Sequence, residues 1–239
     1  MPFESITAVL PAYNEEENIE NATRQMADVL QSLALKDWEV IVVDDGSVDQ
    51  TGAIADRLAS SDPAHIRVIH QNPNLGYAAA LKNGFSSARH QLIFFTDSDL
   101  QFDVREIRKL LALIDEADIV CGFRIYRFDH LTRLVLSWGF NLLVRMTFRI
   151  NVRDIDCAFK LFRREVFDRV TIESRKFFVN AEVLAKAKYF GFRLAEVGVR
   201  HYPRAAGSST VRASHVLSTL KELARIWVNI HSKSRGKRS

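Results

Sequence analysis

The residues of this chain with the clearest chemical potential are two aspartates, Asp97 and Asp99, which directly follow the apolar run Leu92–Phe95. Because they stand one residue apart at the end of a predicted strand, their carboxylates project near the same point. Mg²⁺ and Mn²⁺ prefer such oxygen ligands, and Mg²⁺ typically uses one or two carboxylates together with substrate phosphates. The spacing therefore indicates a metal site for a phosphorylated substrate. A solvated turn is the alternative, because Asp and Ser are common turn residues.

Short apolar strands and helical patterns alternate along the first half of the chain and must position these acids. Strands are predicted at Ile6–Leu10, Glu39–Val43, Arg67–His70, Leu92–Phe95 and Ile119–Gly122. Helices are predicted near Asn18–Leu33, Thr51–Ser60, Tyr77–Ala88 and Val104–Ile114. This alternation is typical of an α/β protein with a parallel sheet covered on both faces. Ligands bind such sheets outside the carboxyl ends of the strands.

Polar residues gather where three of these strands end. The segments are Pro11–Glu15 after the first strand, Asp44–Ser47 after the second and Asp97–Asp99 after the fourth. Helix capping is the alternative explanation, with Asn14, Asp49 and Asp103 as the candidate caps. Three acidic strand ends along one edge of a sheet nevertheless indicate a binding site more than solubility.

Several function classes are disfavoured by what the sequence lacks. The first strand is followed by neither a Gly-x-Gly-x-x-Gly nor a Walker-type motif, which argues against a dinucleotide dehydrogenase or a P-loop NTPase. The two cysteines, Cys121 and Cys157, are too few for a disulfide framework and are predicted to be buried reduced thiols. The net charge of +4 includes a cluster of central arginines and a basic tail, which would attract anions.

A helix predicted from Leu131 to Phe148 carries large apolar residues interrupted by arginines. Such a helix fits a membrane interface, and a core helix with solvent-reaching arginines fits equally well. No apolar run approaches the roughly 18 residues of a membrane span, and with a first strand predicted from Ile6 we expect no signal peptide. We expect a cytoplasmic location from these features.

The second half places further acids, Asp154 and Asp156, just before an apolar strand-like run that ends at Phe162. A helix from about Val179 to Phe190 contains Glu182, and a strand at Arg193–Val199 leads into a loop over residues 201–209. Gly, Ser and a cation in that loop suit a flexible phosphate lid, with a plain surface loop as the alternative.

Four ordered motifs together resemble family 2 glycosyltransferases of the GT-A fold, a nucleotide-diphospho-sugar transferase fold with a Rossmann-like, mostly parallel sheet. They are Leu10–Glu16, the Asp-Asp-Gly-Ser run from Val43 to Thr51, Asn74-x-Gly76 with Lys82-Asn83-Gly84, and Asp97–Gln101. The pattern over 154–162 and the Arg-x-x-x-Ser-x-x-x-Asn helix at 133–141 are most similar to polyprenyl-phosphate hexose synthases, such as the dolichyl-phosphate mannose and glucose synthases. The resemblance covers residues 5 to about 210.

The resemblance implies roles for the matched positions. The nucleotide sugar would be bound by Pro11, Tyr13, Glu15, Asp44 or Asp45, Ser98, Arg124 and Arg204. Asp97, Asp99 and Gln101 would hold Mg²⁺ or Mn²⁺ on the diphosphate, while Arg124 and Arg133 would bind an acceptor phosphate. The chain departs from the family pattern at Ser98, where Ala is usual, and at Thr210, where a lysine is common and Arg212 stands nearby.

The implied reaction is inverting transfer of a hexose from GDP-mannose or UDP-glucose to a polyprenyl phosphate. It would take place at the cytoplasmic face of a membrane, with a membrane-embedded partner as a further expectation. A soluble enzyme that acts on a saccharide or protein hydroxyl is the alternative, and it would need Asp154 or Asp156 as a base. A non-catalytic, basic nucleic-acid-binding protein is a more remote alternative, since no binding module is recognised and we expect no nucleic-acid partner.

The expected domain organisation is a single domain over residues 1–232 with a basic tail at 233–239. Within the domain, residues 1–125 would bind the nucleotide sugar. Residues 126–213 would bind the acceptor and include the interface helix at 131–149.

Overall fold

The computed structural model of the chain describes residues 3–126, 131–174, 178–203 and 223–229, and for 131–136 it describes the backbone alone. Its strands are β1 (Ser5–Ala12), β2 (Asp37–Asp44), β3 (Ile66–His70), β4 (Leu92–Thr96), β5 (Ile119–Arg124), β6 (Phe159–Arg163) and β7 (Leu194–Val199). Its helices are α1 (Ile19–Gln31), α2 (Thr51–Ser61), α3 (Tyr77–Ser87), α4 (Ile107–Leu111), α5 (Leu131–Phe148), α6 (Val166–Arg169) and α7 (Val179–Tyr189). A further helical stretch covers 223–229.

The seven strands form one sheet in the order β3-β2-β1-β4-β6-β5-β7. The predicted α/β class and mostly parallel sheet are therefore confirmed, and each predicted strand of the first half is present. The predicted helix over 104–114 is shorter than expected. It begins as a 3-10 turn at Val104–Glu106, continues as α4 and ends at Leu111.

One strand departs from an all-parallel sheet, because β6 runs antiparallel between β4 and β5. The chain returns after α5 to the carboxyl end of β4, where Thr96 pairs with Phe159, so β6 starts at that edge and runs away from it. This arrangement has a consequence for the acids that precede β6. Asp154 and Asp156 are brought to the same edge of the sheet as Asp97.

The central strands are enclosed because their residues are apolar on both faces, as expected for parallel strands between helices. The whole of β4 is buried, and Met26 and Leu30 of α1 and Phe85 of α3 belong to the same core. Gly84 lets α3 lie close to the sheet, because a Cβ at this position would collide with the side chain of Val9 in β1. Close packing of α3 fixes the position of its first residue, Tyr77, at the carboxyl edge.

Candidate active site

The loop after β4 is held in place by contacts to two other elements and by a hydrogen bond of its own. Tyr77 donates a hydrogen bond to Oδ1 of Asp97 (3.0 Å), and the buried Ser98 donates its hydroxyl to the carbonyl of Pro11 at the end of β1 (2.7 Å). Oδ1 of Asp99 accepts the backbone N–H of Gln101 (3.2 Å). Ser98 thus fastens this loop to β1, while a side chain of α3 holds Asp97 and a backbone N–H of the loop holds Asp99.

The negative charges of the carboxylates in this loop favour a cation beside them. Burial and the neighbouring charge of Asp99 raise the pKa of Asp97 to about 7, against the opposing effects of Tyr77 and Lys160. Burial together with the charges of Asp97, Asp99 and Asp156 raises the pKa of the Tyr77 phenol. Carboxylates that repel one another in a buried setting are stabilised when a cation joins them.

This donor set fits a hard divalent cation. Within the described residues no three His, Cys, Asp or Glu side chains form a complete metal cage. Mg²⁺ is usually held by one or two carboxylates and completes its shell with water and substrate phosphates, so Asp97 and Asp99 are a sufficient carboxylate set for it. Gln101 donates its side-chain Nε2 to the carbonyl of Tyr202 (3.0 Å), and this contact ties the loop to the segment after β7. A metal role for Gln101 stays a prediction.

Sequence reasoning missed a buried cation beneath this loop. Lys160 in β6 is fully buried, donates to the carbonyl of Cys157 and lies over the ring of Phe95 (5.5 Å). Its positive charge favours the ionised form of Asp97. The available signal was a lysine in the middle of the apolar run Phe159–Phe162, since lysine is almost never fully buried without a partner.

The loops after β1 and β2 bind each other through a reciprocal network. The backbone N–H of Asn14 donates to Oγ of Ser47 (3.0 Å), the N–H of Val48 donates to Oδ1 of Asn14 (2.9 Å), and the N–H of Glu15 donates to Oγ1 of Thr51 (2.8 Å). Asn14 therefore joins two loops instead of capping α1, which begins after Asn18. Tyr13 lies beside this network with 43% of its surface exposed, and its role in nucleotide binding stays a prediction.

The two aspartates that end β2 have separate partners. Oδ1 of Asp45 accepts the backbone N–H groups of Leu75 (2.8 Å) and Gly76 (3.1 Å), which holds the turn that starts α3. Asp44 accepts the N–H of Ser47 on one oxygen (3.0 Å) and contacts His70 with the other (2.9 Å). Both lie at the carboxyl edge as predicted, and their contact with a nucleoside remains a prediction.

Arg124 and Asp154 form a buried ion pair. Nε and Nη2 of Arg124 donate to the two carboxylate oxygens of Asp154 at 2.7 and 2.8 Å, and the side chains are 11% and 8% exposed. Hydrogen bonds to Asp154 raise the pKa of the Arg124 guanidinium despite the opposing effect of burial. A phosphate ligand would have to share Arg124 with Asp154, and Asp154 would have to leave Arg124 to act as a base.

The two cysteines are buried and free, as predicted. Burial raises the pKa of the Cys121 thiol to about 12, so neither metal binding nor nucleophilic chemistry is favoured there. Other predictions lie outside the described residues: Arg204, Thr210, Arg212, most of the 201–209 loop and the tail at 233–239. The side chain of Arg133 is likewise outside the description, although its backbone belongs to α5.

Helix α5 exposes apolar side chains in its described half. Trp138 and Met146 are 67% and 72% exposed, and an apolar groove of about 390 Å³ separates this helix from the stretch 223–229. The groove is lined by Leu143, Thr147, Leu223, Ala224, Trp227 and Val228. In the part of the chain that the structure describes, no helix is both long and apolar enough to cross a bilayer.

The same helix is fastened to the acidic edge by Asn141. Its Oδ1 accepts the backbone N–H of Ile155 (2.8 Å), and its Nδ2 donates to the carbonyl of Ser137 (2.8 Å). This contact explains the asparagine of the 133–141 motif, and it connects the apolar surface of α5 with the loop that carries Asp154 and Asp156.

The mixed, mostly parallel sheet with an acidic pair at its carboxyl edge agrees with the predicted GT-A fold of nucleotide-sugar transferases. The model of glycosyl transferase family 2 matches residues 7–171. The chain therefore belongs to glycosyltransferase family 2, which confirms the predicted enzyme class and sets aside the non-catalytic alternative.

Individual relatives agree with this assignment. The chain is 36% identical to glycosyltransferase AglD of Haloferax volcanii over 233 residues, which is 93% of this chain and 37% of AglD. It is 32% identical over 224 residues to the undecaprenyl-phosphate 4-deoxy-4-formamido-L-arabinose transferase of Salmonella choleraesuis, covering 93% of this chain and 67% of that protein. The chain thus spans little more than a third of AglD.

Solved structures show the same fold. Glucosyl-3-phosphoglycerate synthase of Mycobacterium tuberculosis, crystallised with Mn²⁺, UDP and glucosyl-3-phosphoglycerate, superposes with a TM-score of 0.71. The match covers 95% of this chain and 80% of that one at 19% identity. A second structure of that enzyme contains Mg²⁺ and UDP and superposes with a TM-score of 0.69 at 18% identity.

Proposed function

We propose that this chain transfers a hexose from a nucleoside diphosphate sugar to a polyprenyl phosphate at a membrane surface, with Mg²⁺ or Mn²⁺ as cofactor. The observation that carries the proposal is an acidic carboxyl edge with Asp97 and Asp99, next to which Asn141 bonds a helix to the loop at Ile155. That helix exposes Trp138 and Met146. The Salmonella relative is named for transfer to undecaprenyl phosphate, which supports the acceptor class.

Departure of the nucleotide is the step that these acids assist. Negative charge grows on the diphosphate as the bond to the anomeric carbon breaks. Asp97 and Asp99 would hold a divalent cation, which would supply neutralising charge there. Tyr77 and Ser98 keep the loop in one conformation through their bonds to Asp97 and Pro11, so little reorganisation is needed during the reaction.

A phosphate acceptor matches the state of two further carboxylates, Asp154 and Glu182. It is already an anion at neutral pH, so attack at the anomeric carbon needs no general base and proceeds with inversion. Asp154 is held by Arg124, and Glu182 in α7 accepts three backbone bonds and one from Lys186 (2.6 Å). Neither is positioned as a ready base.

A hydroxyl acceptor is the second candidate, and one observation favours it. The charge of Asp156 acts on Tyr77, which is bonded to Asp97, so Asp156 lies near the acidic pair. In that case Asp156, rather than Asp154, would be the general base.

The decisive test is a radiolabelled transfer assay. We expect one of GDP-mannose and UDP-glucose to label a short polyprenyl phosphate in Mg²⁺ or Mn²⁺, and EDTA to reduce the rate to background. Transfer that is unaffected by EDTA would contradict the metal assignment. Donor hydrolysis or transfer to a saccharide, without lipid labelling, would favour the hydroxyl-acceptor enzyme.

Membrane association is tested separately through the exposed face of α5. The double variant Trp138→Glu/Met146→Glu should weaken binding to anionic vesicles at least about tenfold, because each side chain loses roughly 1.5–3 kcal/mol of apolar burial. Turnover of a short, detergent-soluble acceptor should stay unchanged. Tyr189→Glu on α7, another exposed aromatic at 42%, is the control. Equal flotation of the double variant and the wild type would contradict an α5 membrane contact.

A further inference from the structure

We propose that His70 is a positioning residue for the donor nucleotide, because its ring, held between Asp44 and Asp56, fixes the orientation of the Asp44 carboxylate. The inference rests on the proposed function, in which Asp44 contacts the base or ribose of the donor. His70 itself ends β3 and would act through Asp44 rather than by touching the sugar that is transferred.

The geometry is that of a ring bound on both sides. His70 and Asp44 are paired in the register of β3 and β2, and Nδ1 of His70 lies 2.9 Å from Oδ2 of Asp44. On the other side, Nε2 lies 2.9 Å from Oδ1 of Asp56 in α2. The second oxygen of Asp44 accepts the N–H of Ser47 (3.0 Å), so both ends of this buried carboxylate are fixed.

The first turn of α2 leaves space for the contact between His70 and Asp44. Gly52 stands there, and a Cβ at this position would approach Oδ2 of Asp44 to 2.8 Å and Cε1 of His70 to 3.3 Å. Glycine inside a helix is less stable than alanine by about 1 kcal/mol. Its presence here is accounted for by the space that the His70–Asp44 contact requires.

The charge of the ring follows from its partners. Only the protonated imidazolium can donate from both nitrogens, and both nitrogens of His70 face carboxylates. Hydrogen bonds to Asp56 and Asp44 raise the pKa of His70 above its usual value, against a smaller opposing effect of burial. The titratable groups that face the ring are Asp44 from β2 and Asp56 from α2.

Donor affinity should depend on the protonation state of His70. Below the raised pKa of His70 both bonds are made, and Asp44 is held. As the pH rises through that pKa, the ring loses one proton and one of its two bonds. Donor affinity should therefore fall on the alkaline side.

The experiment measures binding of UDP and of GDP, each with Mn²⁺, by calorimetry between pH 6 and pH 9. We expect His70→Phe to weaken binding of the preferred nucleotide about tenfold at pH 6, the loss typical of one hydrogen bond to a charged group. It should also abolish the alkaline fall in affinity. In the transfer assay the donor KM should rise while kcat changes less than about twofold, a split that a general folding defect would not produce.

A second variant of the contact and a matched control complete the experiment. Asp56→Asn alters an exposed side chain, leaves His70 in place and should move the alkaline fall to lower pH, because one carboxylate no longer stabilises the imidazolium. His65→Phe is the matched control: His65 precedes β3 at its other end, pairs with Asp62 (3.0 Å) and stacks on Trp38. It should leave nucleotide affinity unchanged.

The outcomes separate this inference from the proposed function. If the wild type binds and transfers but His70→Phe and Asp56→Asn show wild-type affinity at every pH, the role of His70 is overturned and the function stands. If the wild type binds neither nucleotide, both the function and the role of His70 are overturned.

Discussion

Replacing Asp99 by alanine should reduce sugar transfer at least about a thousandfold while leaving the fold intact, since a metal at a reacting phosphate contributes several kcal/mol to catalysis. Asp99 is one of two carboxylates whose mutual repulsion, with burial, raises the pKa of Asp97 to about 7. Its removal relieves that repulsion, so we expect unchanged or slightly higher thermal stability. The measurements are kcat with saturating Mn²⁺ and the melting temperature.

A nearby aspartate provides the matched control for this variant. Asp103 follows the same loop, but its side chain accepts the N–H of Arg105 and caps the 3-10 turn at Val104–Glu106. Asp103→Ala should lower the free energy of unfolding by about 1 kcal/mol through loss of this cap and should keep most of the activity. An Asp99→Ala enzyme with normal turnover would refute the metal assignment.

Breaking the Arg124–Asp154 pair should produce the largest loss of stability. Asp154→Ala leaves a guanidinium that is only 11% exposed without its carboxylate, and such changes cost about 3–5 kcal/mol. The double variant Arg124→Met/Asp154→Leu should recover most of that loss, because two apolar side chains replace two buried charges. Denaturant unfolding of the single and double variants measures both effects.

The same double variant also tests the predicted phosphate role of Arg124. If Arg124 binds the acceptor phosphate, sugar transfer by the double variant should remain impaired even though its stability is recovered, and its KM for the acceptor should be raised. Full activity would show that the pair is structural only. The exposed pair Arg24–Glu20 (2.9 Å) is the comparison, and its removal should change stability by less than about 1 kcal/mol.

The sequence alone predicted those parts of the site that lie within short segments of the chain. Strand and helix periods repeat locally, and the carboxyl ends of parallel strands must meet at one edge, so Asp44, Asp45, Asp97 and Asp99 could be assigned to one edge of the sheet without coordinates. The motifs around them also identified the family, which the comparisons confirm.

The tertiary structure decided the contacts between residues far apart in the chain. Three of these contacts are the antiparallel pairing of β6 with β4, the Arg124–Asp154 pair and the His70 contact with Asp44, which join residues between 26 and 71 positions apart. The burial of Lys160 depends in turn on the place of β6 in the strand order. The period of the apolar residues indicates which face of a segment is buried, but it does not indicate which element packs against that face. Whether Trp138 of α5 faces core or solvent was open in the sequence for that reason, and only packing settled it.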